Sequence, residues 1–175
     1  IKKAKAVIWQ SPYCKKMGRA LLKVKPRREY GIFNGANPDD YQWKSIIADK
    51  GPHILMSANW QAKTHKRLVA MVAIARDEHA NFWIAGRVDM ESPPLPPHIH
   101  LLGHLEETEL QKYICSCDVM FNLAVFDWMP NAVVECLVAG LPIVYAKGSG
   151  MSDVVGDSGV AIKNKPPKPK LITIK

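Results

Sequence analysis

No stretch of this 175-residue chain approaches the roughly 18–20 consecutive apolar residues that a membrane-spanning helix needs. Cysteine is sparse, with only Cys14, Cys115, Cys117 and Cys136. Cys115-Ser116-Cys117 is spaced more tightly than the two-residue gap of a zinc knuckle, and no second pair follows, which argues against a metal site. Cys117 and Cys136 lie among apolar residues and read as buried thiols of a reducing compartment, so the expected setting is cytoplasmic. No G-x-G-x-x-G follows the first apolar strand and no G-x-x-x-x-G-K-[ST] occurs, so ordinary dinucleotide and P-loop readings lose their main support. Acid is missing from both ends. Residues 1–28 hold ten Lys or Arg and no Asp or Glu, and residues 163–175 hold five Lys and no acid.

The charge that is present is therefore divided. The whole chain carries +8, yet the stretch from Glu29 to Ile162 sets nine basic residues against all sixteen acids. A nucleic-acid module would put its basic residues on the recognition elements, so no nucleic-acid partner is expected. Basic ends suit peripheral contact with an anionic membrane surface, and equally a solvated seam and a frayed tail. The first residue is Ile, which reads as a piece of a longer or processed protein. Hydrophobic content of 47% is enough for one domain with its own core.

Short apolar runs alternate with longer amphipathic ones. Strands are expected at Ala6–Trp9, Tyr30–Phe33, His53–Ser57, Asn81–Ala85, Ile99–Leu102, Val119–Leu123, Pro142–Tyr145 and Gly159–Ile162. Helices are expected at Pro12–Lys23, Asp39–Asp49, Thr64–Arg76 (apolar at Leu68, Val69, Val72 and Ala73), Glu106–Ser116, Asn131–Ala139 closed by Gly140, and a turn at Met151–Val155. Residues 89–98, with four prolines, read as a loop, and Lys163–Lys170 as an extended tail. The alternation implies an α/β fold, a Rossmann-like parallel sheet with helices on both faces.

Ligands of such sheets bind beyond the carboxyl ends of the strands. Gly86 and Gly103 end two strands, where glycine lets a backbone approach a ligand closely or simply makes a tight exit. Between Phe126 and Val144 the chain turns through Pro130 into a helix for which Asn131 is a candidate N-cap. The free N–H groups and dipole of that first turn suit a diphosphate. Asp127 precedes the helix and Glu135 lies on it, and a carboxylate can accept two hydrogen bonds from vicinal hydroxyls. A plain amphipathic helix with a solvated Glu135 fits the same pattern. His98 and His100 have a strand-edge spacing without a third ligand, so no metal is expected.

These segments resemble the donor site of the retaining glycosyltransferase family four, which has the GT-B fold. Asp127, seven residues, Glu135, then Ala139-Gly140-Leu141-Pro142-Ile143-Val144 is similar to the family signature. Gly148-Ser149-Gly150-Met151-Ser152-Asp153-Val154-Val155 is similar to its following turn. Ser57–Leu68 resembles the phosphate-binding stretch, with Lys66 at the place of the diphosphate lysine. Ile84-Ala85-Gly86-Arg87 and Leu102-Gly103-His104-Leu105 resemble the turns beside the base. Tyr113, Asp118 and Val119 resemble the lead into the signature, and Ser11 and Asn34-Gly35-Ala36-Asn37 the interdomain stretch. The sequence departs from the family at Asp127 (Glu is usual), Gln61 (Arg) and Asp153 (Glu).

The resemblance implies transfer of a sugar from a UDP- or GDP-type donor with retention, without a metal or other cofactor; no D-x-D pair occurs. Asp127 and Lys66 would be catalytic. Glu135 would hold the ribose, and Gly86, Arg87, Gly103, His104, Leu105, Met129, Pro130, Asn131, Ala132 and Val134 would line the nucleotide site. Residues 1–35 would be an interdomain seam and the start of the domain, 36–162 the nucleotide-sugar-binding domain and 163–175 the tail. An N-terminal acceptor-binding domain would complete the enzyme. A non-catalytic nucleotide-sugar-binding domain and a sugar-nucleotide epimerase of the same fold are the alternatives.

Overall fold

A computed structural model describes residues 4–22, 26–61, 67–76, 79–89 and 95–163. Its frame is a six-stranded, all-parallel sheet of β3 (His53–Ser57), β5 (Asn81–Ala85), β7 (Ile99–Gly103), β8 (Val119–Asn122), β9 (Ile143–Ala146) and β10 (Gly159–Ile162). The order across it is β10-β9-β8-β3-β5-β7. The chain winds outward from β3 to β7, then returns to β8 on the other side of β3 and winds the opposite way. That reversal is the doubly wound Rossmann arrangement, and its switch point lies between β3 and β8.

Side-chain alternation assigns each strand's two faces. Leu55, Met120, Ala124, Ile143 and Tyr145 meet α3 (Glu107–Ile114), α4 (Asn131–Val138) and α5 (Met151–Val155) through Ile114, Val133, Cys136, Met151 and Val155. Met56, Phe82, Ile84, Ile99 and Phe121 face the other way and meet α2 (Leu68–Ala75) through Leu68, Met71, Val72 and Ala75. Helices thus cover both faces, as expected for the α/β class.

A smaller unit precedes the sheet. β1 (Val7–Trp9) pairs in parallel with β2 (Glu29–Gly31), joined by α1 (Pro12–Leu22). The basic face of α1 is partly neutralised here, since Lys15 (3.0 Å) and Arg19 both bridge to Glu29. Another two-stranded pair, β4 (Trp60–Gln61) with β6 (Val88–Asp89), rests beyond β3 and β5.

Several expectations need correction. The helix expected over Asp39–Asp49 is only a 3-10 turn, Pro38–Tyr41. Gln42 leaves the helical region, and Tyr41 and Ile47, the residues that reach the core, are not on one helical face. The Ser116 hydroxyl takes up the Ile46 N–H (2.9 Å) instead of a helical carbonyl. The helix expected from Thr64 begins at Leu68, because Arg67 is left-handed at φ 62° and cannot belong to it. Val69, read as core-facing, is 64% exposed, and Met71 and Ala75 take the buried places. β4 and β6 fall outside the expected strands, and β6 ends one residue inside what reads as loop. Residues 64–66, 90–94 and the tail from 164, read as extended, lie outside the described residues.

Met120 is fully buried between β3 and β9. Met120→Ala is expected to lower unfolding free energy by about 2–5 kcal/mol, the usual cost of emptying such a core site, as measured by urea denaturation.

Candidate functional site

Three strand exits converge at the carboxyl end of the sheet. β5 leaves through Gly86, whose φ is +119°. A Cβ there would strike the Ala58 carbonyl oxygen, so the close approach that requires glycine is to the β3–β4 turn. Ala58 N–H donates to the Ala85 carbonyl (3.2 Å), the Trp60 indole donates to that same carbonyl (2.9 Å), and Gly86 N–H donates to Gly103 (2.6 Å). The three turns enclose a pocket of about 290 Å³ lined by Ser57, Ala58, Asn59, Gly86, Arg87, His104 and Leu105 among others. The structure thus brings together Gly86, Arg87, His104 and Leu105, with Gly103 bonded behind them.

The second half of the site follows β8. The Asn122 carboxamide, 2% exposed, accepts the Ala124 N–H (2.9 Å) and turns the chain out of the sheet. The loop reaches Phe126, held at φ 58° without being glycine, and then Asp127. Asn131 is not the N-cap of α4. Pro130 is, with φ −71° and ψ 125°, and no side chain caps the helix. Pro130's carbonyl accepts from Val133 (3.1 Å) and Val134 (3.3 Å). The N–H groups of Asn131 and Ala132 have no acceptor among the described residues. Two donors without an acceptor there and the positive end of α4 give this terminus the chemistry that suits an anion. Met129 and Val134 are buried side chains.

At its far end α4 closes as a Schellman motif. Gly140, at φ +81°, donates to Leu137 (3.0 Å), and Leu141 donates to Cys136 (2.8 Å).

Glu135 is half-buried on α4, and its carboxyl titrates above the ordinary glutamate range, first from burial and then from the charge of Glu107. Tyr41 lies close enough to feel that charge; its phenol is pushed up by burial and next by Glu135. Tyr13 stands in the same relation to Asp127, its phenol raised by burial and then by the Asp127 carboxylate. Neither tyrosine was foreseen; each comes from an element remote in sequence from its acid. Lys66, expected at the diphosphate, lies outside the described residues, as does the side chain of Gln61.

The pieces now decide the family. The chain belongs to the glycosyl transferases group 1, whose model matches residues 51–170. As a member of that family it shares its fold with HepE of Anabaena, solved with UDP and glucose (TM-score 0.71, 12% identity, covering 93% of this chain and 50% of HepE). It is similar also to sucrose-phosphate synthase of Thermosynechococcus elongatus (0.70, 17%, 95% and 46%). A further match is WaaG, a glycosyltransferase involved in lipopolysaccharide biosynthesis (0.67, 13%, 89% and 48%). This group 1 chain therefore spans about half the length of the solved proteins it matches. No curated protein sequence matches it. Among the described residues no helix is long and apolar enough to cross a membrane.

His98 and His100, the pair with strand-edge spacing, have local structural contacts. His98 Nε2 lies 3.0 Å from the Ala75 carbonyl, and His100 stacks on Trp83 with centroids 4.1 Å apart. The buried Cys117 thiol is pushed up to about 12 by burial and by Asp118, and Cys136 rises for the same first reason, so neither is a thiolate near neutrality.

The Glu135 shift sets a pH dependence. A carboxyl that titrates higher in the folded state than in the unfolded one binds protons preferentially on folding. Its contribution therefore makes the chain more stable as pH falls from neutrality through its folded-state pKa. Glu135→Gln should abolish that increment and flatten the slope of stability against pH in this window. Urea midpoints at a series of pH values check it; an unchanged slope would refute the assigned environment. Separately, a Cβ at Gly150 would strike the Trp128 and Asp127 carbonyls, so Gly150→Ala should cost about 1–3 kcal/mol by the same assay.

Proposed function

We propose that this chain is the donor-binding half of a retaining glycosyltransferase that uses a nucleotide-diphosphate sugar. The observation that carries the reading is the open N-terminus of α4, with Asp127 before it and Glu135 on it, at the switch point of a group 1 fold. That HepE was solved with UDP and glucose supports the substrate class.

In this reading the base enters the pocket formed by Gly86, Arg87, His104 and Leu105. Glu135 accepts the ribose hydroxyls, and the diphosphate meets the N–H groups of Asn131 and Ala132. Transfer breaks the bond between the anomeric carbon and the diphosphate oxygen. The acceptor oxygen bonds to that carbon on the same face and gives up its proton. Charge builds on the leaving diphosphate, where preorganised donors stabilise it most. The helix N-terminus supplies two, and Lys66 a third by family likeness. Asp127 orients the donor sugar and supports the positive character of its ring. The shorter Asp127 side chain alters sugar choice through shifted or water-mediated contacts. No metal takes part.

The acceptor is held by a second domain N-terminal to this one. Ile8, Tyr30, Ile32 and Phe33, each at least half exposed along β1, β2 and the residues after it, favour a partner layer there. The basic ends favour peripheral contact with an anionic membrane from the cytoplasmic side.

The test is a thermal-shift panel of UDP, GDP and their hexose conjugates. The matching nucleotide at a hundred times its Kd should add about 2.7 kcal/mol, or roughly 5–10 °C at this chain length. Glu135→Ala should weaken it about 10–100-fold, the value of a charge-assisted bond pair. If no nucleotide raises the melting temperature, the donor site is misassigned. If nucleotides bind but the chain joined to its N-terminal half transfers no sugar, the domain is a binding module.

A further inference from the structure

The segment between Asn122 and α4 carries the strained Phe126. Among the described residues, bonds from other parts of the chain help to hold it. Gly150 N–H donates to the Asp127 carbonyl (2.7 Å) from the turn before α5. Further bonds among the described residues come from the N-terminal unit. Ser11, 3% exposed, donates its hydroxyl to the Trp128 carbonyl (3.0 Å) while accepting the Cys14 N–H (3.0 Å) at the start of α1. The Asn34 carboxamide donates to the Met129 carbonyl (3.3 Å) and to Asn131 Oδ1 (2.7 Å). Gln10 donates to Asn34 Oδ1 (3.1 Å), so the Asn34 amide nitrogen is the end that must face the loop. Asp153 completes the join by accepting the Tyr13 N–H (2.5 Å) in the first turn of α1.

We propose that Asn34 is a positioning residue for the diphosphate and sugar end of the site. With Ser11 beside it, it ties the loop from Asp127 to Asn131 to a unit whose two strands do not join the six-stranded sheet. This rests on the donor reading above and extends it. The nucleoside end of the site stands on Gly86, Gly103 and Glu135, which Asn34 does not touch. The diphosphate end stands on N–H groups whose place Asn34 sets. Through Asn131 Oδ1 the same residue keeps that side chain bonded to the N-terminal unit.

The experiment compares the wild-type chain with Asn34→Ala and with Asn37→Ala. Among the described residues, the Asn37 side chain accepts the Asp39 N–H (3.3 Å) and donates to Asp40 (3.3 Å) nearby, so it controls for local damage. Calorimetric titrations use uridine, UDP and UDP-glucose, with guanosine, GDP and GDP-mannose in parallel. Hydrogen exchange of amides 126–133 is followed without nucleotide. Asn34→Ala should weaken the bound diphosphate and its sugar conjugate about tenfold, leave the nucleoside within about twofold, and speed exchange across the loop. Asn37→Ala should do none of this. The proposal is overturned if diphosphate affinity is unchanged, if nucleoside affinity falls by the same factor, or if Asn37→Ala matches Asn34→Ala. Should the wild type bind neither series, the donor reading fails by itself. Exchange then decides the clamp: faster loop amides in Asn34→Ala sustain it, and unchanged ones refute it.

Discussion

The pairing of β3 with β8 is the constraint on which the rest depends. It is locked at its start by a reciprocal pair of bonds: Asp118 N–H donates to the His53 carbonyl (2.8 Å), and the Asp118 carboxylate accepts the His53 N–H (2.8 Å). A one-residue slip would exchange the faces of β8, sending Met120 and Phe121 to the wrong core clusters. The lock therefore sets which residues of β8 point to α4 and where the chain emerges after Asn122. Because the strand order reverses at this pair, the following loops diverge and leave a crevice at their carboxyl ends. Tyr113, Asp118 and Val119 resemble a family lead-in; for Asp118 the structure supplies a physical reason, register.

Much of the fold was legible because parallel, buried strands leave a simple pattern. His53–Ser57, Asn81–Ala85 and Gly159–Ile162 are read with the bounds the structure has, and the Gly140 helix end follows from glycine's access to positive φ. The misses share a different cause. β4 and β6 have two residues each, too short for any period to show. The Asp39–Asp49 stretch contains apolar residues, but its backbone is satisfied partly by serine hydroxyls, and no periodicity reports that. Asn131 has a cap residue's chemistry, yet its oxygen is taken by Asn34, ninety-seven residues away.

The same limit applies to the site. The acids Asp127 and Glu135 are visible as a spaced pair on either side of a helix start. Their tyrosine neighbours are not, since Tyr13 and Tyr41 reach them only through tertiary packing. Asp153 illustrates the point from the other side. As a sequence departure it is a shortened acid of unknown consequence. In the structure it accepts a backbone N–H at the start of α1, a task for which a short side chain is well suited.

The division of charge also acquires a structural meaning. A nucleotide diphosphate is an anion, yet the centre of this chain is rich in acid, and both site carboxylates add to that. Such a centre binds an anion only where fixed dipoles outweigh the surrounding charge. The uncapped start of α4 is such a place, because its two open N–H groups are fixed before any ligand arrives and require no side chain to be ordered. Their fixity depends in turn on the loop before them, which holds a strained residue and no regular hydrogen bonding of its own. Bonds from Ser11, Asn34 and Gly150 supply the order the loop lacks. In the donor reading, the anion site of the large sheet is thus completed by the small unit ahead of it, and side chain-to-backbone bonds join the two in place of a shared strand.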